Sequence, residues 1–262
     1  YCGTAPSVAE WLGRWNLDPP LLVSMLAIGV AVEVALARAA PADPRRTAGR
    51  PTAWRAGFGL VVLAFVSPLC ALAVALFSVR TLQHLLLAFV AVPLLVHSLP
   101  PPAALRRIGP ASAGAAAAVF VAIFCAWHLP GPYEATFASD AAFWAMHASI
   151  LVAAVAFWRR VLPGAASRTA TTPDALAALL VVMMPMGLLG AILTFAPRGL
   201  YPPHAASTAS YGLTMLEDQQ LGGLLMWVPA GALLVAVAVL VALQLATPAA
   251  HRTSNPKPST AP

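Results

Sequence analysis

Long apolar runs occupy most of this chain and are separated by short segments of Pro, Gly and Arg. A bilayer core of about 30 Å needs about 20 apolar residues to cross it as a helix. The runs lack the alternation of a membrane barrel, and unpaired backbone groups are too costly in hydrocarbon for open strands. The pattern therefore predicts an all-α membrane protein, a bundle of seven transmembrane helices near residues 19–38, 57–79, 81–98, 112–130, 141–160, 174–196 and 221–246.

The two ends of the chain differ from this bundle. Residues 1–18 are predicted to form a periplasmic segment, and four apolar residues at helical spacing predict a short amphipathic helix over residues 6–16. These residues are Val8, Trp11, Leu12 and Trp15. The tail from 247 to 262 is rich in Pro, Ser and Thr, which predicts a disordered cytoplasmic segment.

The basic residues predict the orientation. One side of the predicted bundle carries Arg38, Arg45, Arg46, Arg50, Arg55, Arg106, Arg107, Arg159, Arg160, Arg168, Arg252 and Lys257. The other side carries only Arg14, Arg80 and Arg198. Because cytoplasmic loops hold the excess of Lys and Arg, the N-terminus is predicted outside and the C-terminus in the cytoplasm.

Composition supports a membrane protein and excludes several functions. The chain is 60% hydrophobic and 9% charged, with a mean hydropathy of +0.80. Its net charge of +6 does not indicate nucleic acid binding, because the Arg residues lie in short gaps without interleaved aromatic residues. Neither a zinc-protease motif nor a serine nucleophile motif is present, so the protein is not predicted to be an enzyme.

A few single residues carry further expectations. Glu33 is the only acidic residue well inside a predicted helix, and we expect it to pair with Arg38 or to extend towards the interface. Cys2, Cys70 and Cys125 have no paired spacing, so no disulfide framework is predicted. The chain begins with Tyr rather than Met, which predicts that a leading segment has been removed.

Four histidines fall on the outer half of the predicted bundle. His84 lies in the first turn of the third helix, His128 in the last turns of the fourth and His147 about two turns into the fifth. His204 lies in the loop between the sixth and seventh helices. Polar groups inside a membrane are expensive and tend to mark function, so this clustering predicts a site at the outer face.

Further polar and sulfur residues lie near these histidines. Asp218 and Gln219 enter the seventh helix from the same side, and Met226 follows about 12 Å deeper. Cys125 is three residues before His128, so both project from one face of a helix. Met183, Met184 and Met186 lie nearer the middle of the bilayer.

The side chains together suit a soft cation. Imidazole, thiolate and thioether favour Cu(I) over Mg²⁺ or Ca²⁺. We predict that His84, His128 and His147 form the primary site, with Met226 and Cys125 as softer ligands. Three more residues are predicted to orient the imidazoles from behind the ligands: Asp218, Gln219 and His204. Taken singly, these histidines could instead bond between helices, and the methionines and Cys125 could serve only in packing.

Several strings of residues resemble the polytopic CtaG-type cytochrome c oxidase assembly factors, from about residue 55 to 245. The most specific string covers residues 217–229 and reads Glu-Asp-Gln-Gln-Leu-Gly-Gly-Leu-Leu-Met-Trp-Val-Pro. The others are Gln83-His84, Trp127-His128-Leu129-Pro130 followed by Tyr133, His147, and Leu193-Thr194-Phe195 before Tyr201.

The resemblance implies a multi-pass protein of the bacterial inner membrane that matures haem-copper oxidases of the caa type, with a role in copper delivery. The implied partners are the oxidase subunits and periplasmic copper chaperones. The family pattern extends to His84, His128, His147, Asp218, Gln219 and Met226, whereas Cys125 and His204 rest on geometry alone.

Three alternatives remain open at the level of sequence. Paired histidines from facing helices could hold a haem. A solute or metal transporter would place its site on broken helices at the midplane, and Pro185, Gly187 and Gly190 could form such a break. The protein could also be a scaffold for the oxidase without any metal.

Overall fold

A computed structural model of the chain describes residues 1–38, 49–98, 112–162 and 171–246. Within those ranges the regular structure is helical, without a strand. The helices are α1 (Pro19–Arg38), α2 (Arg50–Val66), α3 (Pro68–Ala75), α4 (Phe77–Ser98), α5 (Ala113–Trp127), α6 (Pro130–Ala138), α7 (Asp140–Val161), α8 (Thr172–Thr194) and α9 (Met215–Ala246). Short 3₁₀ turns occur at Trp11–Gly13, Pro202–His204 and Thr208–Tyr211. The predicted tail from 247 to 262 lies outside the described residues.

Five of these helices, α1, α4, α7, α8 and α9, are each long and apolar enough to cross a membrane. Two further pairs of consecutive helices are long and apolar enough to cross a membrane only when each pair is taken together. Each pair is bent, α2 with α3 by 54° and α5 with α6 by 69°. The described part of the chain is thus an all-helical, multi-pass membrane protein, as predicted. The count reaches seven if each bent pair is one span, and the orientation stays a prediction.

Prolines produce both bends. Ser67 and Leu129 have extended backbones, and each precedes a proline that begins the next helix. A residue before proline is disfavoured in the helical region, whereas proline itself is well suited to the first helical position. The sequence prediction treated residues 112–130 as one helix and did not predict α6.

Three helices begin at least four residues earlier than predicted. α2 begins at Arg50 instead of residue 57. α4 begins at Phe77 instead of residue 81, because the chain breaks at the extended residue Leu76. α9 begins at Met215 instead of residue 221 because Thr214 and Glu217 form reciprocal bonds. The Glu217 amide donates to the Thr214 hydroxyl at 3.2 Å, and the Thr214 amide donates to the Glu217 carboxylate at 2.8 Å.

The N-terminal segment lies across one end of the bundle without forming the predicted helix over residues 6–16. Only the turn Trp11–Gly13 is helical there. The Asn16 amide donates to the Val66 carbonyl at 2.9 Å. A disulfide joins Cys2 to Cys70 with a Cα–Cα distance of 5.4 Å, so the expectation of no disulfide is wrong. The two cysteines are 68 positions apart, and only the packing of the segment brings them together.

The pairing of Glu33 also differs from the prediction. Its carboxylate accepts from both Nε and Nη2 of Arg55, at 2.8 and 3.0 Å, rather than pairing with Arg38. This bidentate ion pair joins α1 to α2. Arg55 lies on a neighbouring helix, so sequence spacing did not indicate it.

α4 is the most enclosed of the five single-helix spans and forms the centre of the bundle. Its helix widens to a π-helical segment at Leu87–Ala91. The Ala88 carbonyl in that segment accepts a hydrogen bond of 2.7 Å from the indole of Trp158 on α7. This bond joins α7 to the helix that carries His84.

Candidate metal-binding site

Three imidazoles from three helices meet inside the bundle. His84 lies on α4, His128 caps the end of α5, and His147 lies on α7. The ring centre of His84 is 6.1 Å from that of His128 and 5.1 Å from that of His147. All three side chains are buried. We refer to His84, His128 and His147 as the imidazole cluster.

Backbone carbonyls fix the orientation of two of these rings. The Nδ1 of His128 lies 2.7 Å from the Phe124 carbonyl, and the Nδ1 of His147 lies 2.9 Å from the Phe143 carbonyl. A carbonyl only accepts, so each Nδ1 carries the proton. In a neutral ring the lone pair is then on Nε2. Metal-binding histidines commonly donate their other ring nitrogen to a carbonyl in this way.

Ring nitrogens in the cluster lack partners. Among the described residues, neither Nδ1 nor Nε2 of His84 has a hydrogen bond, and neither does Nε2 of His147. Most buried polar groups in proteins are satisfied, so three unsatisfied nitrogens in one place require an explanation. A ligand bound between the rings would supply it.

The rings are close enough for a metal but are not arranged as a completed site. Nitrogens at about 2.0 Å from a shared ion place imidazole centres about 5–6 Å apart. The ring of His84 is near this spacing from both other rings, at 5.1 and 6.1 Å, whereas the described ring contacts do not pair His128 with His147. However, the rings meet edge to face, and the described residues contain no ready group of three His, Cys, Asp or Glu ligands. His84 has no hydrogen bond that opposes rotation of its ring. Binding would therefore require this ring to turn.

Aromatic rings pack around the cluster, and all three imidazoles are buried. Phe124 stacks on His128 with centres 4.4 Å apart. Phe143 and Phe65 contact His147 at 4.3 and 5.0 Å. An ion in this space would be held largely by the imidazoles, since the walls offer few polar groups.

Arg80 is a functional candidate that the sequence analysis counted as an outer loop charge. It is instead buried on α4, four residues before His84. Its guanidinium donates to Thr136 at 2.7 Å and lies 4.5 Å from the ring centre of Phe137 and 5.0 Å from that of Tyr133. These partners are all on α6, so Arg80 holds the short bent helix against the site. The sequence could have indicated this role, because residues four positions apart, such as Arg80 and His84, lie on the same face of a helix.

Tyr133, Tyr201 and His204 form a second polar layer beside Arg80. The Tyr133 hydroxyl bonds the His204 Nε2 at 2.7 Å, and the Tyr201 hydroxyl donates to the His128 carbonyl at 2.8 Å. Burial, with a smaller contribution from the charge of Arg80, lowers the pKa of His204 to about 4. His204 is therefore neutral at pH 7 and joins the loop before α9 to α6.

The described hydrogen bonds of Asp218 and Gln219 go mainly to backbone groups and do not reach an imidazole. The Asp218 carboxylate accepts from the Phe77 amide at 2.6 Å and from the Ser78 hydroxyl at 2.5 Å. Gln219 accepts from the Leu200 amide at 2.6 Å. The two residues position α4 and the loop before α9, rather than orienting rings as the sequence analysis expected.

The two predicted sulfur ligands are placed differently from the imidazoles. Met226 is buried and lines a cavity between α8 and α9 together with Met183 and Met186. Cys125 keeps a free, half-buried thiol. Neither side chain takes part in the ring contacts or side-chain hydrogen bonds described for the imidazole cluster. The structure thus brings together three of the five predicted ligands.

Comparison with known proteins identifies the family. The model of the family described as cytochrome c oxidase caa3 assembly factor (Caa3_CtaG) matches residues 30–247, which include the whole imidazole cluster and the string at 217–229. No curated protein and no solved structure matches the chain. The family match covers most of the sequence and confirms the resemblance seen in its motifs. The chain belongs to the cytochrome c oxidase caa3 assembly factor family.

Proposed function

We propose that this assembly factor supports the maturation of a haem-copper oxidase by holding Cu(I) as cargo at His84, His128 and His147 and releasing it to the oxidase. The observation that carries this proposal is the set of buried ring nitrogens without partners on His84 and His147. The fixed Nδ1 protons of His128 and His147 leave Nε2 of each ring for the ion. Imidazole is a suitable ligand for copper.

The surroundings favour a monovalent ion. Phe65, Phe124 and Phe143 form apolar walls, and the charge of Arg80 lies one helical turn from His84. A divalent cation would bear a larger desolvation cost there, and a larger repulsion from the guanidinium. Cu(I) has the smaller charge and accepts low coordination numbers, so it fits this set of neutral donors best.

We place the cluster at the periplasmic end of the bundle, in a bacterial inner membrane. Disulfides persist in oxidising compartments, and Cys2–Cys70 lies at the end of the bundle where α7 begins with Asp140. Phe143, in the first turn of α7, packs with Cys2 and Cys70 in one apolar cluster. The excess of Arg in the segments predicted at the other end supports the same orientation.

Release of the ion requires the cover over the cluster to move. α6 and the loop that carries Tyr201 and His204 are held over the site by the Tyr133–His204 and Tyr201–His128 hydrogen bonds. An oxidase subunit or a periplasmic chaperone that displaces α6 would expose the rings. Copper would then pass by exchange, in which each bond to an imidazole breaks as a bond to the acceptor forms.

Haem fits the cluster less well. Two axial imidazoles lie on opposite faces of a macrocycle, whereas the rings of His84 and His147 touch edge to face at 5.1 Å. The neighbouring space is filled by Phe65 and Phe143. An absorbance spectrum of the purified protein discriminates the two ligands, because a bis-histidine haem gives a Soret band and Cu(I) does not.

The binding test compares Cu(I) retained by the purified full-length protein against a chromogenic Cu(I) chelator. We expect the triple substitution His84→Ala, His128→Ala and His147→Ala to abolish binding at this site. His97→Ala is the matched control, because His97 lies on the same helix α4 but is exposed near its other end. Equal copper retention by the triple variant and the wild type would refute the proposal.

A cellular test separates delivery from scaffolding. Cells that carry only the triple variant should assemble an oxidase with haem but without copper, whereas His97→Ala should restore both. Loss of haem and copper together would indicate a general scaffold instead. Uptake of copper into sealed vesicles would indicate a transporter.

A further inference from the structure

A second group of soft ligands lies between α8 and α9, apart from the imidazole cluster. A cavity of about 480 Å³ there is lined by Met183, Met184, Met186 and Met226. The whole chain has 7 methionines, so more than half of them line one cavity. We refer to this space as the methionine cavity.

The packing of α8 on α9 explains why these side chains meet. The two helices touch backbone to backbone at Gly190 and Gly223, where an added Cβ on Gly190 would lie 2.8 Å from the Gly223 carbonyl oxygen. Met186 lies four residues before Gly190, and Met226 lies three residues after Gly223. Since α8 and α9 run in opposite directions, both methionines fall on the same side of the crossing.

Small side chains form part of the other walls of the cavity, beside the larger Leu188, Trp227, Leu234 and Val235. Gly187, Ala191, Ala230 and Gly231 lie around the thioethers. Met186 and Met226 are buried, whereas Met184 is 70% exposed and lies at the rim. Met186 and Met226 thus belong to the hydrophobic core and also border this space.

The cavity begins at the depth of the imidazole cluster. Gly222 of α9 lies against Phe77 and Thr81 of α4, and both helices enter from the same end. Met226 is four residues beyond Gly222, and His84 is three residues beyond Thr81, so the two side chains lie at similar depths. Met183 lies about 6 Å deeper on the antiparallel helix α8.

We propose that Met183, Met186 and Met226 form a second Cu(I) site inside the membrane. Thioethers are neutral and soft, so they bind Cu(I) without burying a carboxylate in the hydrocarbon layer. A two-site arrangement would let the protein retain an ion at the sulfur site while the imidazole site exchanges with a partner. The choice of Cu(I) as cargo rests on the proposed function, but the cavity and its ligands do not.

The test measures Cu(I) stoichiometry in the purified full-length protein by titration against a chelator, together with X-ray absorption of the bound copper. The substitution of Met183, Met186 and Met226 by Leu removes the sulfur atoms at nearly constant volume. We expect this triple Leu variant to bind about one equivalent of Cu(I) per chain less than the wild type. The sulfur contribution to its X-ray absorption should also disappear. Met25→Leu is the matched control, because Met25 lies on α1 and outside this cavity.

Combining the variants separates the two proposals. The triple histidine variant should still bind one equivalent of Cu(I), and its X-ray absorption should show sulfur ligands. The triple Leu variant should also bind one equivalent, with nitrogen ligands. Unchanged stoichiometry and unchanged scattering in the Leu variant would overturn the second site and leave the imidazole site intact. Loss of all copper from either variant alone would indicate one mixed site, which also overturns this inference.

Discussion

Asp218 of α9 caps α4 at Ser78, across 140 positions of sequence. The carboxylate accepts from the Ser78 amide at 3.1 Å and from its hydroxyl at 2.5 Å, and it also accepts from the Phe77 amide at 2.6 Å. A negative charge at a helix N-terminus satisfies free amides and complements the helix dipole. Asp218 thereby fixes the start of the helix that carries Arg80 and His84.

Asp218→Asn should lower stability because the charged acceptor is lost while the size of the side chain is kept. We expect a loss of about 1–3 kcal/mol, as for other buried bonds to a charged group. Thermal unfolding in detergent measures it. Glu217→Gln is the control, since Glu217 is exposed and bonds Thr214 in the turn before its own helix. If the Asp218→Asn protein is as stable as the wild type, the capping role is contradicted.

Arg80→Lys should loosen α6 while keeping the positive charge. Lysine lacks the planar guanidinium that lies over Phe137 and Tyr133, and a desolvated cation–π contact of this kind contributes about 2 kcal/mol. Hydrogen exchange of residues 130–138 should become faster. Arg14→Lys should leave that exchange unchanged, because the guanidinium of Arg14 bonds Thr4 in the N-terminal segment. Equal protection of α6 in both variants would show that Arg80 does not hold it.

Gly223→Ala should separate α8 from α9. An added Cβ would lie 2.6 Å from the Gly190 carbonyl oxygen and 2.7 Å from the Thr194 amide nitrogen. Neither backbone atom can move without shifting a helix, so we expect a loss of about 1–3 kcal/mol in thermal unfolding. Gly231→Ala, on the same helix, meets no atom within 4 Å and should be neutral. Similar melting temperatures for the two variants would refute the close crossing.

Removal of the Cys2–Cys70 disulfide should release the N-terminal segment. Disulfides typically contribute about 2–4 kcal/mol. The double substitution of both cysteines by Ser, or reduction of the wild type, should lower the melting temperature and increase proteolysis before residue 19. Cys125→Ser serves as the control because Cys125 keeps a free thiol. Unaltered proteolysis after reduction would indicate that other contacts hold the segment.

The free energy of unfolding should decrease as the pH is lowered, because His204 takes up a proton more easily in the unfolded chain. Its pKa is lowered to about 4 by burial in the folded protein and returns to about 6.5 on unfolding. The unfolded chain therefore binds the proton first, and stability is lost as pH falls from about 6.5 towards 4, by at most ~3 kcal/mol. His204→Gln cannot titrate, so its melting temperature should change less between pH 7.5 and 5. An identical pH dependence in both proteins would exclude His204 as the source.

Local properties of the sequence determined the class of the protein. The length and hydropathy of the runs predicted an all-helical membrane protein, and motif strings such as residues 217–229 predicted its family. Both features depend on residues close together in the chain. The positions of the apolar runs also placed His84, His128 and His147 at one end of the bundle, because depth in a helix follows directly from position along it.

Only the tertiary structure decided which side chains meet. The Cys2–Cys70 disulfide, the Arg55 partner of Glu33 and the Asp218 cap on α4 each join distant segments. Such contacts depend on the angles at which helices cross and on bends such as the one between α5 and α6. Hydropathy does not encode those angles, since a helix surrounded by lipid and other helices can present any face to its neighbours.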